Sequence, residues 1–344
     1  MPIGAFVRNC AWAAGLGLAF AGMPAALAQS ADEYYRGKTV TILVGSPPGG
    51  GYDAYARMIA PHLAKRLGAT VIIENRAGGS GLLALNVLYT SRPDGLTLMH
   101  ASAEGAILSQ LTKRQGARWD VAKLNWLART SEEPKIWYFG ADSKLKTIAD
   151  AIKSDRIKWS ATGPADNISD VAAIVSHVLG LKSEIIGGYK GIPDMSLAVV
   201  TGEVDSGIGS ASSLLSMIKA GRLRPVAVIS RKRFPLLPDV PTIFEAASIP
   251  ADKAFWIDLR EKIGQAQRAM ATGPGVPADR IAFLREKLRD VLTDPAVVDE
   301  GNKTSREIDF MPGHELQSLV VETMTAVGGE KLEQMQNIML KTYF

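Results

Sequence analysis

The residues that suggest chemistry first are glycines. The stretch "VTILVGSPPGGGYDAYARMIA", residues 40–60, passes from β-forming residues through two prolines and three glycines into a helical pattern. Such a loop leaves backbone N–H groups free at the head of a helix, and that place suits an anion. It is not a nucleotide loop. The phosphate pattern G-x-x-x-x-G-K-[ST] needs a lysine, whereas Gly49, Gly50 and Gly51 run into Tyr52 and Asp53. The dinucleotide pattern G-x-G-x-x-G also fails, because Ala54 holds its last position. A helix dipole adds only about 0.3–1 kcal/mol at an exposed site, so affinity for a small planar anion needs several hydrogen bonds. By spacing alone, a tight turn without a ligand explains the loop equally well.

A second loop, "ENRAGGSGL", also follows a strand pattern and precedes a helix. In open α/β sheets ligands collect at the carboxyl ends of the strands, so Ser80 and its neighbouring N–H groups could face the same crevice. Glu74, Asn75 and Arg76 read equally as residues that shape the loop. Asp53 has Arg57 at i+4, the spacing of a helical ion pair, and reads as structural.

Catalytic signatures are thin. The four histidines are His62, His100, His177 and His314, and two of them sit inside helical patterns. H-E-x-x-H, C-x-x-C and G-x-S-x-G are missing, and no His, Cys and carboxylate cluster has metal-ligand spacing. No cofactor and no metal are expected.

The elements that would position these loops alternate. "KTVTILVG", "TVIIE" and "LTLMHA" read as strands, and "YDAYARMIAPHLAKRLG" as a helix with Tyr55, Ile59, Leu63 and Leu67 on one face. Pro61 is expected to kink that helix or mark a restart. Further on, "IKWSA", "SEIIGG", "VDSGIG" and "LRPVAVIS" read as strands, and "ISDVAAIVSHVLG" and "SASSLLSMIKAG" as helices. This alternation predicts an α/β protein with parallel or mixed sheets covered on both faces.

Composition agrees with a folded core: 344 residues, 47% hydrophobic and 22% charged. The formal net charge is +4, with Lys and Arg spread among acids, so no nucleic-acid partner is indicated. Residues 1–28 have an early Arg, an apolar run and an A-x-A pattern ending at Ala28, as a secretory signal peptide does. The expected organisation is that signal peptide, a first lobe of residues 29–101 plus 230–344, and a second of residues 102–229. Crossing hinge strands near 101 and 229 would join the lobes.

The loops together resemble the Bug family, the periplasmic solute-binding receptors of tripartite tricarboxylate transporters. The matching motifs are "PPGGGYD", "ENRAGGSG", "RPDGLTLM", "GYKG", "GEVD", "GRLRPVAV" and "PDVPT", in the same order over nearly the whole chain. The resemblance implies a two-lobed flytrap that holds an organic acid in its cleft, no catalysis, and transporter membrane subunits as partners. A monomer in the periplasm is expected.

Residue by residue, the resemblance implies a first ligand loop of Ser46, Pro47, Gly49, Gly50 and Tyr52, with Gly79 and Ser80 beside it. Ser160, Thr162, Gly163 and Asp166 would meet the ligand from the second lobe, with Asp205 and Ser210 at strand ends facing the cleft. Tyr52 stands where the family has a small hydroxyl residue, and residues 251–272 depart from its pattern. Tyr52, Trp159 and Tyr189 would make a bulkier cleft, suited to an aromatic monocarboxylate. A sensor that docks on a signalling partner, and less so a secreted hydrolase or isomerase, stay open as alternatives.

Overall fold

The computed structural model describes residues 29–344 apart from residues 165, 166 and 305, so the segment 1–28, expected to be a signal peptide, and Asp166 lie outside the described residues. Six strands form one sheet: β1 (Thr39–Val44), β2 (Thr70–Asn75), β3 (Thr97–Ser102), β4 (Asn125–Ser131), β10 (Arg268–Thr272) and β11 (Met311–Pro312), in the order β11-β4-β10-β3-β1-β2. Here β1 runs parallel to β2 and β3, while β10 is antiparallel to β3 and β4. A second sheet holds β5 (Lys135–Gly140), β6 (Ile157–Ser160), β7 (Ser183–Ile186), β8 (Ser206–Ser210) and β9 (Leu223–Val228), in the order β7-β6-β8-β5-β9. Helices pack on both sheets, giving a mixed α/β protein of two lobes.

The Gly51–Leu67 helix follows from its sequence. Tyr55, Ile59, Leu63 and Leu67 are all buried, and Gly68 closes the helix in the left-handed conformation that glycine adopts without strain. The helix runs through Pro61 as one element, without the expected restart. Pro61 stands on the exposed face of the helix.

One expectation fails. The predicted crossing after residue 101 put Asn125–Ser131 in the second lobe, yet this segment is β4, hydrogen-bonded to β10 in the first sheet. The chain first crosses between Ser131 and Lys135. Residues 251–272, set apart as a departure, supply a helix (Ala251–Gly264) and the interior strand β10. Nearly every residue of β4, and all of β5 and β10, are buried, so these strands lack the polar–apolar alternation that marks a half-exposed strand.

The lobes share more than crossing strands. One continuous hydrophobic core runs from Leu43, Leu85 and Trp126 through Trp256 to Trp137, Trp159 and Val171. At the chain's end, the Tyr343 carbonyl accepts a hydrogen bond from the β7 residue Ile185 at 2.7 Å. Between the lobes lies a buried ionic network. Glu104, fully buried at the start of the Ala103–Leu111 helix, meets Lys135 of β5 at 3.2 Å and Arg260 at 3.2 Å. Arg260 reaches on to Asp170 of the Ser169–Leu179 helix at 2.6 Å. Burial alone would raise the Glu104 pKa, but Lys135 and Arg260 hold it below the usual carboxylate range.

Removing one partner of such a network leaves buried charge uncompensated, which costs about 3–5 kcal/mol. Glu104→Ala is therefore expected to lower the urea midpoint of unfolding by an amount equivalent to that loss. A variant as stable as the parent contradicts the inter-lobe role of Glu104.

Candidate functional site

Between the lobes, at the carboxyl ends of β1, β2 and β3, lies a cleft of about 560 Å³. Two glycine loops form its first-lobe wall, and they touch. A Cβ added at Gly45 would stand 2.6 Å from the Gly81 Cα, closer than real side chains approach backbone. Only glycine at residue 45 lets the loops meet.

Asp53 fixes the first loop from behind. Its buried carboxylate accepts from the Gly49 N–H at 2.8 Å, Arg57 Nε at 2.9 Å and Asn75 Nδ2 at 2.9 Å. Asn75 also donates to the Ser46 carbonyl at 3.0 Å, tying the loop to the end of β2. The Arg57 hydrogen bond, then those of Gly49 and Asn75, outweigh burial and lower the Asp53 pKa to about 2. Asp53, Gly49 and Gly50 thus shape the loop and do not line the cleft. Gly49 adopts φ +82° there, and Gly50 caps the following helix.

Ser46, Pro47, Tyr52 and Gly79 line the cleft from the first lobe, and Thr162 from the second. The Ser46 hydroxyl is buried with no hydrogen-bond partner among the described residues. Tyr52 forms a wall, its ring 5.4 Å from His100 and 5.5 Å from the Arg268 guanidinium. Burial pushes its phenol up to about 12, so it stays a neutral hydroxyl. Of Ser80 only the backbone is described, within the 3₁₀ turn Gly79–Gly81.

Other predicted residues stand elsewhere. Ser160 is buried inside β6, its hydroxyl 3.5 Å from the Ser206 carbonyl. Gly163 does not line the cleft, and its carbonyl accepts from the Ser169 hydroxyl at 2.6 Å. Asp205 precedes β8, at the end of the sheet away from the 161–168 loop, and accepts from the Lys158 N–H at 2.8 Å. Ser210 faces the Lys135 ammonium at 3.4 Å, within the buried network. Trp159 packs 5.1 Å from Trp137 in the core, and the Tyr189 hydroxyl donates to Glu203 at 2.6 Å. Of the three aromatic residues expected in the cleft, only Tyr52 is there.

The cleft also holds residues that sequence reasoning did not single out. Arg114 and Trp119 come from the connection before β4, Asn167 and Ile168 from the segment leading into the Ser169–Leu179 helix, and Lys190 from the loop after β7. Lys190 stands inside "GYKG", a motif already noticed, whereas no motif marks Arg114. Arg114 and Lys190 approach from opposite lobes, and among the described residues neither has an ion-pair partner. Leu82, Leu85, Met99, Ala106 and Ile192 make much of the remaining lining apolar.

His100 is the one histidine in this lining, and its ring nitrogens are already engaged. Nδ1 lies 3.0 Å from the Tyr52 carbonyl, which can only accept, so Nδ1 carries the proton. Nε2, 2.9 Å from the Thr130 hydroxyl, is then the acceptor. The Thr130 hydroxyl beside it is fully buried, and among the described residues no cluster of His, Cys, Asp and Glu could hold a metal ion.

A two-lobed α/β protein with an inter-lobe cleft built on glycine loops is a solute-binding protein in its architecture. Residues 55–328 match the profile described as "Tripartite tricarboxylate transporter family receptor", and the chain belongs to that family. A UPF0065 protein of Bordetella bronchiseptica is 26% identical over 279 residues, covering 80% of this chain and 78% of that protein. The periplasmic binding protein BugD superposes with a TM-score of 0.69 at 21% identity, over 88% of this chain and 98% of BugD. MatC from Rhodopseudomonas palustris, solved with bound malate, gives 0.68 at 20% identity, over 87% and 99% of the two chains. The family is one of receptors, so the chain is a binding protein and not an enzyme.

Two expectations follow from the geometry. Gly45→Ala should force the two loops apart and weaken ligand binding at least ten-fold by titration, while unchanged affinity would mean that their contact does not shape the site. His100 provides the pH dependence. Burial first, with the nearby Arg268 charge, lowers its pKa from 6.5 to about 4 against the Tyr52 carbonyl. The folded state thus resists protonation that the unfolded chain accepts. This stability is complete above about pH 6.5 and is lost as the pH falls toward 4, by roughly 3 kcal/mol. Thermal melts from pH 7 to 4 should fall more steeply for the parent than for His100→Asn, and parallel curves would contradict the assignment.

Proposed function

We propose that the protein is the periplasmic receptor of a tripartite tricarboxylate-type transporter, capturing an organic carboxylate between its lobes and presenting it to the membrane subunits. The observation that carries this reading is the pair of cations, Arg114 and Lys190, which line one cleft from opposite lobes with no ion-pair partner among the described residues. Anionic groups on a ligand would meet both, and a ligand that touches both lobes favours their closed arrangement. The unpartnered Ser46 hydroxyl and the N–H groups of the glycine loops add donors for a carboxylate. Apolar residues between them suit the hydrocarbon part of such an acid. That MatC was solved with malate in the same fold supports the ligand class. The signal-peptide pattern of residues 1–28 supports the periplasmic location.

The test is thermal unfolding of the mature protein against organic acids and their uncharged amides. At 100 times its dissociation constant an acid should stabilise the fold by about 2.7 kcal/mol, and its amide should not. Equal shifts from acid and amide, or none from any acid, overturn the carboxylate reading. Ser46→Ala separates binding from folding. Removing a buried hydroxyl that lacks a partner should leave the free protein as stable as before or slightly more so. Affinity for the acid should drop by roughly 1–3 kcal/mol, as for a lost hydrogen bond to a charged group. Unchanged affinity would remove Ser46 from the site.

A further inference from the structure

Asn167 stands at the second-lobe side of the cleft, and its side-chain amide is not free to turn. Its Nδ2 donates to Glu104 Oε1 at 2.6 Å. The same carboxylate faces Lys135 and Arg260, and Arg260 also donates to the Asn167 backbone carbonyl at 2.9 Å. Glu104, ionised between two cations, can only accept hydrogen bonds. Rotating the Asn167 amide by half a turn would set its carbonyl against that carboxylate, oxygen to oxygen. The NH₂ is therefore committed to Glu104, and Oδ1 is the atom left for the cleft. Among the described residues no group donates to it.

An outward acceptor on this wall is the wrong group for a carboxylate, since both carry only lone pairs. It is the right group for a hydroxyl or an amino nitrogen. We infer that Asn167, oriented by Glu104, is a specificity residue that selects a carboxylate ligand bearing a hydrogen-bond donor, a hydroxy or amino acid, over the unsubstituted acid. The inference rests on the carboxylate reading of the cleft and adds a second chemical requirement to it. A ligand without the donor leaves Oδ1 dry and unpaired in the closed cleft, and a buried acceptor without a partner is disfavoured.

The experiment is titration calorimetry of the mature protein with matched acids on two skeletons. The four-carbon set is succinate, malate, aspartate and 2-methoxysuccinate, and the six-carbon set is adipate, 2-hydroxyadipate and 2-methoxyadipate. The methoxy compounds keep the substituent's acceptor oxygen but cannot donate, and they add one methyl group. In whichever set binds, the hydroxy or amino member should bind at least about five-fold more tightly than both the unsubstituted and the methoxy acid, the margin of one neutral hydrogen bond. Asn167→Ala should reduce that preference to less than two-fold while still binding the unsubstituted acid. Equal affinity of hydroxy and unsubstituted acids in the parent protein overturns the inference and leaves the carboxylate reading standing. So does a methoxy acid that binds as well as the hydroxy acid, or a preference that survives in Asn167→Ala. If no acid of either set binds, the carboxylate reading falls and takes the inference with it. The parent comparison needs no variant, so it decides the matter even if Asn167→Ala does not fold.

Discussion

A single fully buried carboxylate, Glu104, sets what the two lobes can do relative to each other. It arises just after β3, in the lobe of the glycine loops, and every charged group it meets comes from elsewhere: Lys135 where the chain has just crossed, and Arg260 on the helix wedged between the lobes. With Asp170, which pairs with Arg260, the network takes four charges out of water, which is costly unless each is paired, so it holds only while the lobes keep their present approach. Its donors and acceptors continue into the cleft through Asn167 and into the second lobe through Asp170. The floor of the binding site and the joint between the lobes are thus one structure. With a hydrophobic core running through the same joint, any opening of the cleft must either keep this packing as a pivot or break it.

The two walls of the cleft work by different means. On the first-lobe side the close approach of Gly45 and Gly81 allows two loops to share one small space. Such a wall is rigid because Asp53 and Asn75 brace it from behind. On the second-lobe side the lining includes Thr162, Asn167 and Lys190, all carried on loops.

The sequence was legible where local chemistry fixes the outcome. Strand, glycine loop and helix could be read in order from residues 38–102, because apolar periodicity and capping act over a few residues. Of the first-lobe residues that the resemblance implied, Ser46, Pro47, Tyr52 and Gly79 line the cleft, whereas Gly49 and Gly50 do not. What could not be read depends on partners distant in sequence. β4 and β10 are buried on both faces and carry no alternation, so the crossing point was placed some thirty residues too early. Asp205 and Ser160 sit in the right motifs, yet backbone and core groups of the second lobe occupy their side chains. Arg114 and Asn167 offered no local signal at all, since their meaning comes from groups they do not pair with or from a carboxylate 63 residues away.

The most direct measurement is a crystal structure of the protein with the acid that raises its melting temperature most. The account predicts that acid between the lobes, with a carboxylate oxygen within hydrogen-bonding distance of Ser46 Oγ and contacts to Arg114 and Lys190. An acid bound instead on the opposite face of the joint, in the cavity of about 410 Å³ lined by Glu132, Lys232 and Asp309, would contradict it.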